Sequence, residues 1–254
     1  MKILAWNCRG LGKPTAVRAL RKLTTTNCPY VVFLSETKLC ESDLNLKSKL
    51  SFDILPNYHL VNCAKYNGKR SGGLAMLWSN DVNLSILNYN EKFINCYVLC
   101  SVTGINWYAY GIYGFSTHNE KHKTCDIINS INASHRHDNW LIFGDFNIVL
   151  TNKEKFGGNP IDYNMSDAFQ STINACNLTD LGFHGDIYTW ANNQVDKDHI
   201  KERLDRFLAT QIWTTIFPNY HNNHLLRYAS DHNHILLDFW PIEKCRMPRR
   251  NRQI

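Results

Sequence analysis

The residues able to do chemistry in this 254-residue chain recur at the ends of apolar runs. Asn7 closes KILAWN, Glu36 follows YVVFLS, Tyr113 precedes Gly114, and Asp145 and Asn147 emerge from WLIFGDFN. Later, Asp205 sits in RLDR, and Asp231 and His232 sit in SDH. Taken alone, G-D-x-N is an ordinary turn, because Gly, Asp and Asn are common turn residues. Several carboxylates converging on one cleft, however, would repel one another and shift each other's pKa unless a cation lay between them. With all-oxygen donors, no nearby Cys and a single His, Mg²⁺ or Mn²⁺ is expected rather than zinc. Mg²⁺ keeps several waters and takes one or two carboxylates plus a substrate phosphate, which suits phosphoester hydrolysis. His232 adds a group that titrates near neutrality, with Asp205 available to orient its imidazole.

These side chains need strands that end at one rim. Trp140 to Phe143 reads as a strand buried on both faces, and Gly144 lets the backbone turn. Ile3 and Ala5 alternate with Leu4 and Trp6 in a first strand over residues 2–8. Pro14 then opens a helix that carries Ala16, Ala19, Leu20 and Leu23 at helical spacing. Residues 30–34 form a second buried strand, so the two strands predict a parallel pair with its site at one edge. Residues 72–78, 93–102 and 106–113 read as strands in antiparallel pairs on one side of a sheet, whereas residues 39–57 give no assignable element. A helical pattern runs over 118–134, and Ser166 or Asp167 is expected to cap a helix with Phe169, Ile173 and Cys176 on its core face. Residues 187–191, 203–208 and 234–239 are further strands, and 212–217 a short helix stopped by Pro218. Strands outnumber helices, which predicts two packed sheets with helices outside them.

Composition is that of a soluble globular domain, with 44% hydrophobic and 20% charged residues. No apolar run is long enough to cross a bilayer, and Met1 leads straight into a core-type strand, so a cytosolic or nuclear protein without a membrane partner is expected. The nine cysteines contain no CxxC pair and indicate neither a disulfide framework nor a zinc knuckle. Of the net charge of +6, residues 241–254 supply +4, from five cations against Glu243. One domain over 1–240 and a basic tail over 241–254 follow, the tail suited to nucleic acid or to a nuclear signal. Lys69 and Arg70, beside Lys65 in a glycine-containing loop, are candidates for tracking a DNA backbone. Trp190 is a candidate for stacking at DNA, with the core of a late strand as the alternative.

In chain order, WNCRG, SETK, IYG, GDFN, YTW, RLDR and SDH make the sequence resemble the endonuclease/exonuclease/phosphatase superfamily. Within it, the chain looks most like the apurinic-type endonuclease domain of plant LINE (non-LTR) retrotransposons. The resemblance implies a deoxyribonuclease-like, four-layer α/β sandwich: two mostly antiparallel sheets flanked by helices. It implies Glu36 as the main metal carboxylate, with Asn7 and Asp231 completing the metal and phosphate environment. Asp145 and Asn147 would position and activate water, His232 oriented by Asp205 would contact the phosphate, and Tyr113 would lie at the phosphate and leaving group. Whether Asp145 or His232 is the base stays open.

The implied activity is Mg²⁺-dependent nicking of double-stranded DNA by a monomer in the nucleus, after synthesis in the cytoplasm. The nick leaves a 3′-hydroxyl for target-primed reverse transcription, with a downstream reverse transcriptase domain and element RNA as partners. The alternatives are an abasic-site nuclease or phosphoesterase on the same fold, or an inactive nucleic-acid-binding remnant. Two departures matter. Arg9 stands where some members carry a metal-binding aspartate, which puts a second metal in doubt. Gly114, Phe115 and Ser116 replace the proline and asparagine usual in repair-type members, which argues against an abasic-site substrate.

Overall fold

Alternation along the first strand already divides the molecule into layers. In Lys2–Asn7, Ile3 and Ala5 enter one apolar cluster while Leu4 and Trp6 enter another on the opposite face. The structure, a computed structural model, describes residues 1–99, 104–135 and 138–240. The basic tail and the last residues of the 93–102 strand lie outside them.

Two large sheets stack face to face. The first runs in the order His184–Gly185, Asn219–Leu225, His234–Trp240, Lys2–Asn7, Val31–Ser35, Leu74–Trp78, Asn57–Val61. The second runs Leu178–Asp180, Asp205–Thr210, Trp140–Asp145, Asn106–Tyr113, Phe93–Leu99, Asn83–Tyr89. Phe33, Met76 and Leu237 of one sheet meet Ile94, Phe143 and Phe207 of the other in the central core, and each such buried side chain contributes roughly 1.5–3 kcal/mol. Outside the first sheet, the Pro14–Asn27 helix lays Ala16, Ala19 and Leu20 over Leu4, Val32 and Leu34. Outside the second, the helices His122–Ser134 and Tyr163–Ala175 cover Ile142 and Leu208 with Ile128, Phe169 and Ile173. The layers are thus helix, sheet, sheet, helix, as expected.

Two of the parallel strand pairs serve the site. Lys2–Asn7 runs parallel to Val31–Ser35, and Asn106–Tyr113 parallel to Trp140–Asp145. Their carboxyl ends therefore point the same way within each sheet. Every residue of Trp140–Asp145 is buried, and Gly144 inside it has φ +129°. A Cβ there would lie 2.2 Å from the Ile112 carbonyl oxygen, so only glycine lets this strand approach its neighbour before Asp145.

Several boundaries differ from the sequence reading, each for a physical reason. The strand expected over 203–208 is Asp205–Thr210, because Arg203 and Leu204 belong to the approach loop. The 187–191 strand shrinks to Trp190–Ala191. Residues 72–78 contribute Leu74–Trp78, which pairs with Val31–Ser35 in the first sheet rather than with the other two candidates, which pair with each other in the second. The 163–175 helix starts earlier than expected: Asp162 caps it by accepting from Met165 N at 3.1 Å, while Ser166 lies inside and donates to Val149 O. The unassigned 39–57 stretch holds a short helix, Leu46–Leu50.

Candidate active site

Strand register brings the polar strand ends together. In the second sheet Asp145 is the register partner of both Tyr113 and Asp205. In the first, Asn7 ends a strand whose parallel neighbour delivers Glu36, and whose antiparallel neighbour starts just after His232. Stacking the sheets sets these two edges against each other. Asn7 Nδ2 spans the gap, donating to Asp145 Oδ2 at 2.9 Å and to Glu36 Oε1 at 3.2 Å.

Each functional side chain is held by its own contacts. Asn147 N donates to Asp145 Oδ1 at 2.9 Å, and Asn147 Nδ2 to the Gly114 carbonyl at 3.1 Å. His232 Nδ1 lies 2.9 Å from Asp205 Oδ2, and its Nε2 faces Asp145 Oδ2 at 3.8 Å. With Asp205 ionised, Nδ1 carries the proton and donates. Tyr113 Oη donates to Glu36 Oε1 at 3.1 Å. Asp231 Oδ2 accepts from Trp190 Nε1 at 3.1 Å. Arg9, Glu36, Lys38 and Asn147 all have φ between 51° and 56°, a left-handed backbone that costs about 1–2 kcal/mol per non-glycine residue and is common where function fixes a side chain.

Electrostatics follow from burial and these partners. Burial pushes the Asp145 carboxyl up, and Asp205 adds to that while His232 opposes it. For His232, burial favours the neutral ring, but Asp205 and Asp145 outweigh it and raise the imidazole pKa. Asp145 and His232 are therefore both shifted toward their protonated forms. Burial also acts to raise Glu36, yet Arg9, Asn7 and Lys38 together lower it, so it stays ionised. Tyr113 is pushed up by burial and by Glu36 and Asp145, and keeps its proton.

Sequence reasoning missed several supporting groups. Thr189 Oγ1, the middle of YTW, accepts from Leu204 N and Asp205 N and fixes where Asp205 enters its strand. Lys92 Nζ sits over the Tyr113 and Phe115 rings. The two arginines of RLDR are both buried. Arg203 and Arg206 share Glu154 and Asp180 at 2.6–3.0 Å, and Glu154 Oε2 also accepts from Leu150 N. This network ties the loop after Asn147 to the strand that carries Asp205. The long sequence separation of its partners hides it from any local pattern.

The candidates for contacting DNA fall on two elements, a hairpin and the Trp190–Ala191 strand. Arg70 belongs to an exposed hairpin, Ala64–Tyr66 with Lys69–Ser71, and both its terminal nitrogens are engaged by Asp43 at 2.6–2.7 Å. Lys69 and Lys65 are exposed on the same hairpin. Trp190 is half-buried; its ring packs against the small apolar cluster of Val149, Ile161 and Leu204 while its indole N–H donates to Asp231.

Residues 4–232, nearly the whole described chain, match the Endonuclease/Exonuclease/phosphatase family. The chain belongs to that family. Among solved structures, this family member is similar to the endonuclease domain of TRAS1, a telomere-specific non-LTR retrotransposon. That likeness has 14% identity and a TM-score of 0.66, covering 94% of this chain and 97% of the other. It is similar too to the 3′ phosphatase NExo from Neisseria bound to product DNA hairpin, at 18% identity and TM-score 0.68, over 94% and 99%. The AP endonuclease LMAP from Leishmania major aligns at 16% identity and TM-score 0.71, over 93% and 86%. At such identities these likenesses establish the shared fold. No curated protein sequence matches the chain.

The donor chemistry of this family member fits a divalent cation. Glu36 Oε1 already takes donors from Asn7, Arg9 and Tyr113, whereas Oε2 is approached by Lys38 Nζ at 3.7 Å. With Asn7 and Asp231, that carboxylate gives an all-oxygen set suited to a hard ion. A second, tighter group is Asp145, Asp205 and His232, whose ligand atoms lie within 4.8 Å of one another. It too could hold an ion, but its imidazole nitrogens are already turned to the two carboxylates, which suits proton handling better.

Proposed function

We propose that the chain is a Mg²⁺-dependent endonuclease that nicks double-stranded DNA and leaves a 3′-hydroxyl. The reading rests on one observation above all: Asn7 and Glu36 from one sheet, and Tyr113 and Asp145 from the other, share hydrogen bonds beside the His232–Asp205 pair. Asp145 and Asn147 orient a water for in-line attack on phosphorus, and its proton passes into the Asp145–His232–Asp205 group. His232, kept cationic by two carboxylates, would offer charge to the phosphate, and Tyr113 Oη a donor. Glu36, with Asn7 and Asp231, would hold Mg²⁺, which neutralises charge on the pentacovalent state and the leaving 3′-oxygen.

The likeness to a retrotransposon endonuclease domain supports target-primed reverse transcription as the setting, in the nucleus, with a reverse transcriptase domain and element RNA as partners and a monomeric nuclease unit. The Neisseria neighbour, captured with DNA, supports DNA as substrate. Lys69, Arg70 and Trp190 are proposed DNA contacts. Conversion of supercoiled plasmid to the nicked form with Mg²⁺, with EDTA, and by Asp145→Ala tests the mechanism; only the first should nick, and equal conversion in all three refutes it. Preference for an abasic oligonucleotide or an inositol phosphate over intact plasmid would instead select the repair or phosphatase activity.

A further inference from the structure

Arg9 carries a charge that the mechanism above leaves unused. Its side chain bridges the two carboxylates assigned to the metal environment, with Nη1 2.9 Å from Glu36 Oε1 and Nε 3.3 Å from Asp231 Oδ1. The backbone is built to put it there: Arg9 N donates to Asn7 Oδ1 at 3.2 Å, and φ is +51°. Despite both ion pairs, 48% of the side chain remains exposed. A guanidinium whose orientation is fixed by two acids, with N–H groups left toward solvent, matches the planar recognition of a phosphate.

We propose that Arg9 is a phosphate-binding residue of this site, supplying from the chain itself the positive charge that a second divalent ion would otherwise bring to the nucleic-acid phosphate. The proposal rests on the nuclease reading and adds to it a ligand group and a metal count. Glu36 and Asp231 act on Arg9 as clamps, so the guanidinium is already ordered before DNA arrives and loses little freedom on binding. With Arg9 in place between them, the site needs one divalent ion.

Two measurements test this without any turnover. In EDTA, fluorescence anisotropy of a labelled DNA duplex with the full chain is expected to show about tenfold or greater loss of affinity for Arg9→Ala, since a charge-assisted contact is lost and two carboxylates are uncovered. The slope of log K against log salt should fall by about one. Arg9→Lys should keep that slope but recover only part of the affinity, because the fork is gone. Separately, Mn²⁺ titration followed by electron paramagnetic resonance should give one tight ion per wild-type chain and a second in Arg9→Asp. Unchanged DNA affinity and slope in both Arg9→Ala and Arg9→Lys would overturn the proposal and leave the nuclease reading standing, as would two tight Mn²⁺ ions in the wild type. A wild-type chain that binds no duplex in EDTA also overturns the proposal, and the nuclease reading falls with it only if plasmid nicking with Mg²⁺ is absent too.

Discussion

Replacing Glu154 by glutamine should weaken the whole domain, although Glu154 touches none of the proposed reacting groups. Its two oxygens accept from Arg203 Nη1, both terminal nitrogens of Arg206, and Leu150 N, at 2.6–2.8 Å. Burial alone would raise its pKa, but Arg206 and Arg203 pull it from the ordinary 4.5 down to about 2. At about 1.4 kcal/mol per pKa unit this corresponds to about 3 kcal/mol of stability near neutral pH, the same order as breaking a buried ion pair. Because the folded-state pKa is depressed, that contribution is complete above about pH 4.5 and is lost as pH falls toward 2. Glu154→Gln should therefore lower Tm by about 6–12 °C at pH 7. The gap from wild type should be constant above about pH 4.5 and half closed by about pH 3.3. Calorimetry or circular dichroism melts across that range provide the assay. A Tm loss below about 2 °C, or a gap that does not narrow in acid, would refute the assignment of this network as a stabilising anchor.

Two other outcomes follow from contacts at the site. Trp190→Phe removes the indole N–H that holds Asp231 Oδ2, and the Mg²⁺ concentration for half-maximal nicking should rise about tenfold with little change in Tm, as expected for a group that orients a metal carboxylate; an unchanged Mg²⁺ requirement counts against Asp231 as a ligand. Gly144→Ala places a Cβ 2.2 Å from Ile112 O at φ +129° and should cost about 3 kcal/mol or more; a melt within a degree or two of wild type would show that the strand can shift after all.

What the sequence made legible is the part written in local pattern. Trp140–Asp145 and the first two strands are continuous apolar runs, buried on both faces, that end abruptly in polar residues, so the rim bearing Asn7, Glu36 and Asp145 could be read directly. Strands whose stability comes from backbone pairing were not legible. Asn219–Leu225 is NYHNNHL, yet it lies between two strands, with Asn222 and His224 buried. Asn57–Val61 and Asn83–Tyr89 close the edges of their sheets and keep polar faces. The ion network was invisible for another reason: Glu154 sits in a polar loop and Arg203 and Arg206 flank Asp205, and only the folded distance shows that they neutralise one another. Arg9 was visible as a departure from a pattern, but its bridge from Glu36 to Asp231 depends on how the chain ends meet.

That meeting has a consequence for synthesis. His234–Trp240 pairs with Lys2–Asn7 in the middle of the first sheet, and Ser230 Oγ donates to Asn7 O across 223 residues of sequence. At about 5–20 residues per second, on the order of 10–50 s pass between making the first strand and making its partner. Throughout that interval Asn7 and Glu36 have no His232 beside them, and the first strand has an unpaired edge. The first sheet, and with it the proposed site, is therefore complete only once His234–Trp240 has been made, and until then the open edge of Lys2–Asn7 is prone to misassociate.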